Sequence, residues 1–167
     1  MITLSLLLKA LLLGVGATLV LDIWGYLLRV GFKISSLDMC MVGRWIGYMT
    51  RGKFCHVHIG KVSPFPLEAC IGWSAHFLIG VVFALSFLLI VPAVWMERPT
   101  ILPAILFGVG TVIFPFCVMQ PAFGFGVAAS KTPKPMIARL KSLISHAMFG
   151  VGIYLSALLA KVAGLFF

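Results

Sequence analysis

The chain has 167 residues, of which 62% are hydrophobic and only 10% charged; a soluble domain carries about a quarter charged residues. So few charges cannot cover a water-facing surface, and lipid must take the place of water as the solvent. The net charge of +9, from 13 Lys and Arg against 4 Asp and Glu, then reads as a topology signal and as contact with anionic lipid, not as a nucleic-acid surface.

A helix crossing a bilayer needs about 20 mostly apolar residues. Four stretches qualify, at about 6–28, 70–95, 101–119 and 143–166. Each is too long for a strand, and none alternates as a membrane barrel strand does. The expected architecture is all-α, a single four-helix transmembrane domain over 1–167. Residues 2–23 have no basic n-region and no small-x-small cleavage site after them, so they read as a retained span and not as a signal peptide.

The first loop, 29–69, holds a candidate helix of its own. Ser35-Ser36-Leu37-Asp38 resembles a capping box, with Ser35 at the N-cap and Asp38 three residues on. The following stretch, 39–49, is apolar but too short to span. Arg44 and Arg51 with Trp45 and Tyr48 suit a helix lying in the headgroup layer, or a re-entrant turn. Pro64-Phe65-Pro66 then punctuates the approach to the second span, where Trp73 is a further interfacial aromatic. Met96-Glu97-Arg98-Pro99-Thr100 reads as a tight hairpin, with Pro99 placed to start the next helix. The last loop, 120–142, begins with a run of Gly and Pro that forbids a long regular helix; its apolar character suggests packing on the bundle.

Orientation follows from the basic residues. Arg29, Lys33, Arg44, Arg51, Lys53 and Lys61 lie in the first loop, and Lys131, Lys134, Arg139 and Lys141 in or next to the last. Only Lys9, Arg98 and Lys161 lie on the other side. The positive-inside rule places both long loops in the cytoplasm and both termini outside, which in a bacterium would mean the periplasm.

An internal match suggests two copies of a helical hairpin. Ala10 to Gly16 parallels Ala104 to Gly110, and His76 with Gly80-Val81 parallels His146 with Gly150-Val151. Both copies would have the same orientation, so a pseudo-two-fold axis would run along the membrane normal.

Ionisable groups inside a span are costly and face a protein interior or a wet cavity. Asp22, His76 and His146 are such groups, and Gln120 ends the third span at a similar depth. Each lies on a helix face that also carries small residues, as Arg139, Ser142, His146 and Gly150 do. The expectation is one polar site near the cytoplasmic face, with Asp22, His76 and His146 inside, Gln120 and Arg139 at its rim, and Ser142 on the same helix face as His146. Such a site binds or moves protons, cations or a small solute, in a homodimer because four helices are few for a transport path. Two alternatives stay open: a hydrogen-bonded plug, or a haem held by His76 and His146 as axial ligands.

Cys55, His56 and His58 form a short string that suits a transition metal only if the segment is extended. None of the four cysteines makes a C-x-x-C pair, so they read as reduced, small apolar filler. No nucleophile elbow, zinc-protease motif or phosphate loop is present, and an enzyme reading has no positive support.

Several elements occur together in order: Thr18 with Asp22, Gly43-Arg44-Trp45, Gly72-Trp73 with His76, Met119-Gln120-Pro121-Ala122-Phe123-Gly124, Ser130-Lys131-Thr132-Pro133, and Arg139 with His146. Together they resemble a family of small bacterial inner-membrane proteins, domain of unknown function 2938. The resemblance covers nearly the whole chain. It implies a bacterial source and an inner-membrane location, and it implies no activity, substrate or cofactor.

Overall fold

A computed structural model describes residues 3–165. Among them there is no strand, and four helices are long and apolar enough to cross a membrane. These are α1 (Leu4–Phe32), α3 (Glu68–Ile90), α4 (Ile101–Ala122) and α5 (Pro135–Val162). A shorter helix, α2 (Met39–Met49), lies in the first loop. The all-α, four-span architecture expected from the sequence is the one observed. The expected end of the last span, Phe166, lies outside the described residues.

The helix ends follow local chemistry. Thr3 caps α1, accepting a hydrogen bond from Leu6 N at 3.2 Å. At the other end Lys33 turns left-handed (φ 56°), and the amides of Lys33 and Ile34 return to Arg29 O and Leu28 O. That closes the last turn as a Schellman-type cap. The cap of α2 differs from expectation: Asp38, not Ser35, is the N-cap, its carboxylate accepting from Cys40 N at 2.9 Å. A carboxylate satisfies an orphan N–H and also complements the positive helix start, so it wins over a hydroxyl three residues earlier. Helix α3 stops at Ile90, two residues before Pro92, whose ring disfavours helical geometry in the residue ahead of it. Residues 93–96 then fold back as a 3-10 turn. Trp95 there is buried against Phe87, ring centroids 4.7 Å apart, and its Nε1 donates to Thr100 O at 3.2 Å.

Helix α4 is interrupted. It is α-helical to Gly110 and becomes π-helical over Pro115–Met119. Pro115 has no N–H to give the carbonyl of Thr111, so the i→i−4 ladder must break there.

The chain groups into two compact units. The first comprises Met1–Ser35, Phe77–Thr111 and Ile144–Phe167; the second comprises Ser36–His76 and Val112–Leu143.

The first unit is built on backbone contacts between glycines. A Cβ on Gly14 would collide with the backbone of Val81 and Gly80, and one on Gly80 with the Thr18 hydroxyl. A Cβ on Gly108 would collide with His146 O and the backbone of Gly150, and one on Gly150 with Ala104 O. Thus the Gly14–Gly80 contact between α1 and α3 recurs as the Gly108–Gly150 contact between α4 and α5. These are the pairs the internal match makes equivalent. Lipid supplies no hydrophobic drive between helices, so close van der Waals packing must hold them. A further core of Leu13, Phe87, Phe149 and Ile153 fills the spaces these contacts leave.

The second unit is polar-stapled. Gly43 and Gly72 let α2 lie directly on the first turns of α3, where added Cβ atoms would strike Glu68 O and Met39 O. Arg44 then reaches Glu68 with two parallel bonds, Nε to Oε2 at 2.8 Å and Nη2 to Oε1 at 2.7 Å. Its Nη1 donates to the carbonyls of Ile59 and Val62. Glu68 Oε2 also accepts from Phe65 N at 2.8 Å. The loop before α3 is held along its length: Trp45 Nε1 donates to Phe54 O, and Tyr48 Oη to Ser63 O. His56 N and Ile59 N donate to Ala122 O and Phe123 O. Gly124, at φ +84°, stands where any Cβ would strike Val57 O.

Two outcomes are expected. Gly108→Val or Gly150→Val should destabilise the protein by the upper end of the roughly 1–3 kcal/mol that overpacking costs, because backbone cannot step aside. Gly110→Ala, with nothing within 4 Å of the new methyl, should leave stability equal or slightly raised. Unfolding in detergent micelles compares the three. The Arg44–Glu68 pair exposes only 12% and 14% of its side chains, so Arg44→Met alone should cost about 3–5 kcal/mol, and Arg44→Met with Glu68→Leu much less. A double-mutant cycle in the same assay reads the difference.

Candidate functional site

The polar residues singled out in the sequence divide between the two units: Asp22 and His146 belong to the first, and His76, Gln120, Arg139 and Ser142 to the second.

In the first unit, the Gly108–Gly150 crossing sets the geometry. It brings the first turn of His146's surroundings against the end of the α-helical part of α4. Thr111 Oγ1 lies 2.6 Å from Gly108 O and 2.7 Å from His146 Nδ1. The hydroxyl proton goes to the carbonyl, since a carbonyl can only accept. The hydroxyl oxygen therefore accepts from His146, which fixes the imidazole as the Nδ1–H tautomer and leaves Nε2 as its basic nitrogen. This is the arrangement that prepares a histidine to take a proton or a cation at Nε2. Asp22, half-buried, lies one turn past Thr18 on α1. Thr18 itself is buried and turns its hydroxyl back to Gly14 O at 2.8 Å.

In the second unit, Gln120 is 7% exposed and its Nε2 donates to Ser142 Oγ at 3.3 Å. Its Oε1 is buried with no hydrogen-bond partner. Gln120 and Ser142, both singled out in the sequence, are thus in direct contact. Arg139 anchors the last loop, its Nε donating to Ala128 O at 2.8 Å and its Nη1 lying 3.6 Å from Met136 Sδ. Ala128 and its neighbour Ala129 are both left-handed, at φ 47° and 58°; without Cβ relief from glycine, such a turn holds only when outside bonds fix it. His76 is half-buried on α3 and its ring meets Trp73 edge-on at 5.6 Å.

Of the interfacial trio, Arg44 is committed to Glu68 and two carbonyls, and Trp45 packs edge-on to Phe123 at 5.6 Å. Trp73 is 47% exposed. The Glu68 hydrogen bonds lift the already high pKa of Arg44 and keep it charged. In the Cys55, His56, His58 string, Cys55 and His58 are exposed. His56 meets Tyr48 edge-on at 5.5 Å and His58 meets Phe125 at 5.5 Å. Among the described residues, no group of three or more His, Cys, Asp or Glu is placed to hold a metal ion.

Two residues that shape these sites were not picked from the sequence, Thr111 and Glu68. Thr111 follows Gly108 by three positions, one residue short of the spacing that sets Thr18 against Gly14. Glu68 stands alone at a helix start, where an acid is an ordinary complement to the helix dipole.

Burial, with the nearby charge of Lys53, pushes the His56 pKa down, and its Nε2 is buried without a partner. A depressed histidine favours the neutral folded form. The associated stability is complete above the unfolded pKa of about 6.5 and falls as pH drops below it. Thermal unfolding between about pH 5 and 8 should show an acid-side loss that His56→Phe, which keeps the ring against Tyr48, reduces.

No curated protein and no solved structure matches the chain. A family model described as "Protein of unknown function (DUF2938)" matches residues 11–160, nearly the whole length, and the chain therefore belongs to that family.

Proposed function

We propose that this membrane protein binds or moves protons or a small cation at an intramembrane polar site, with His146 as the titrating group. The observation that carries the reading is the relay of Gly108 O, Thr111 Oγ1 and His146 Nδ1, whose Thr111 comes four residues before Pro115 in the sequence of α4. A helix interruption inside an apolar span is where transport proteins expose backbone carbonyls and place ion sites. The relay orients the ring, with Nε2 as the nitrogen that carries the proton. Asp22, in the same unit, is the acidic partner that offsets the charge of a protonated histidine or a cation. In the second unit, the unpaired carbonyl oxygen of Gln120 beside Ser142 is a further acceptor suited to a donor or a cation.

In this reading the protein lies in the bacterial inner membrane with both termini in the periplasm. Lysine-rich segments such as Lys131 and Lys134 meet anionic headgroups on the cytoplasmic face. A purely structural plug uses the same Thr111–His146 bond, so flux separates the two readings. Purified protein in proteoliposomes should pass protons or a divalent cation above the level of protein-free vesicles. Asp22→Asn and His146→Phe should each lower that flux at least about tenfold, as loss of a group that carries the ion requires. Thr111→Val should shift its pH profile while retaining part of the rate. No flux in the parent protein, or equal flux in all four, leaves the plug as the correct reading.

A further inference from the structure

We propose that the end of α2 and the loop after it bind the phosphate of one anionic phospholipid, with Arg51 as its donor and Lys53 beside it. The site is built around Tyr48. Gly47 leaves room for Phe65, whose ring a Cβ there would strike, and Phe65 meets Tyr48 edge-on at 5.6 Å. Each of these residues is tied to its surroundings: Tyr48 Oη donates to Ser63 O at 3.2 Å, and Phe65 N donates to Glu68 Oε2 at 2.8 Å. The guanidinium of Arg51 lies over both rings, 5.5 Å from the Tyr48 centroid and 4.9 Å from that of Phe65. A guanidinium held on a ring in this way keeps the N–H groups around its edge able to donate.

Among the described residues, those N–H groups meet no acceptor and no carboxylate. The acids of the second unit are Asp38 and Glu68. Glu68 is taken by Arg44, and Asp38 caps the opposite end of α2. Lys53 brings a second cation to the same ring. Its amide donates to Tyr48 O at 3.1 Å. Burial, and then the charge of Lys53, depress the pKa of His56, which packs edge-on to Tyr48. Two cations around one aromatic platform, with both acids of the unit engaged elsewhere, favour an anion from outside. A phosphate suits the planar fork of arginine, which can give it two parallel hydrogen bonds.

The same loop says that the phosphate belongs to a lipid. Phe54 and Val57 stand 60% and 97% exposed. Their backbone is fixed, with Trp45 Nε1 donating to Phe54 O and His56 N to Ala122 O, both at 2.8 Å. A dissolved anion leaves these two apolar side chains in water. An anionic lipid supplies hydrocarbon for them and a phosphate for the cations at once.

Calorimetric titration of the full-length protein in detergent tests this, with short-chain phosphatidylglycerol, short-chain phosphatidylcholine and inorganic phosphate as the three probes. Binding is read whether or not the protein passes ions. Phosphatidylglycerol should bind with one equivalent, and each of the other two at least about fivefold more weakly, the scale of one cation at a charged membrane surface. Arg51→Gln should weaken phosphatidylglycerol binding by about the same factor. Arg51→Lys, which keeps the charge and loses the fork, should weaken it nearly as much. Lys134→Gln, which removes an exposed charge from the last loop, should leave it unchanged. Because Arg51 is exposed, its variants should unfold thermally close to the parent. Equal binding of the two lipids by the parent overturns the proposal, as does inorganic phosphate that binds as tightly as phosphatidylglycerol. So does an Arg51→Lys protein that binds like the parent, or a loss that Lys134→Gln shares, since either would mean diffuse charge in place of a site.

Discussion

The first unit depends on backbone meeting backbone at glycine. In lipid there is no gain from burying leucine against leucine, because the hydrocarbon outside is equally apolar. What remains is dispersion between surfaces in close contact, and that grows as helices approach. Gly14 with Gly80, and Gly108 with Gly150, remove the side chains that would hold the axes apart. Much else in the unit follows from these contacts. They bring the Thr18 hydroxyl against Gly80 and the imidazole of His146 against Thr111. The polar groups are therefore not added to a finished bundle; they sit where the close crossings put them.

The second unit solves a different problem, that of ordering irregular chain. A loop in or near a bilayer has carbonyls and amides that water does not fully satisfy. Here side chains of one short helix do much of that work. Arg44, Trp45 and Tyr48 donate to carbonyls between Phe54 and Ser63, and the amides of His56 and Ile59 go to the turn at 122–123. Arg44 has enough donors in one rigid fork to bond a carboxylate and two carbonyls at once, which lysine cannot do. Glu68 repays the burial of that charge and also closes the turn before α3 through Phe65 N.

The four spans were legible because length and hydropathy are properties of a stretch, readable without knowing what it touches. The glycine pairs were half legible: the internal match marked the right positions, but only packing shows that Gly14 meets Gly80 and Gly108 meets Gly150. The start of α2 was misplaced because Ser35 and Asp38 are both good caps, and the choice between them rests on how residues 35–38 run before the helix. Among polar residues, Asp22, His76, His146 and Gln120 stood out since each is expensive in hydrocarbon. Thr111 did not, because a threonine can satisfy itself on its own helix and so is unremarked in a span. Glu68 was invisible for a related reason: its partner, Arg44, lies 24 residues earlier, and a long-range pair leaves no periodicity to read.

The break in α4 joins these strands of reasoning. Proline in a helix interior costs about 3 kcal/mol in a soluble setting, and in lipid it also strands a carbonyl. A span that keeps Pro115 must gain something from the interruption or have it supported. The support visible in the first unit is Thr111, whose amide goes to the carbonyls of Phe107 and Gly108 and whose hydroxyl returns to Gly108 O. Thr111 thus winds the end of the α-helical part tightly, ahead of the π-helical turn. The same hydroxyl holds the imidazole. Ring and helix end are joined at a single oxygen, so the imidazole of His146 and the last α-helical turn of this part of α4 are positioned together.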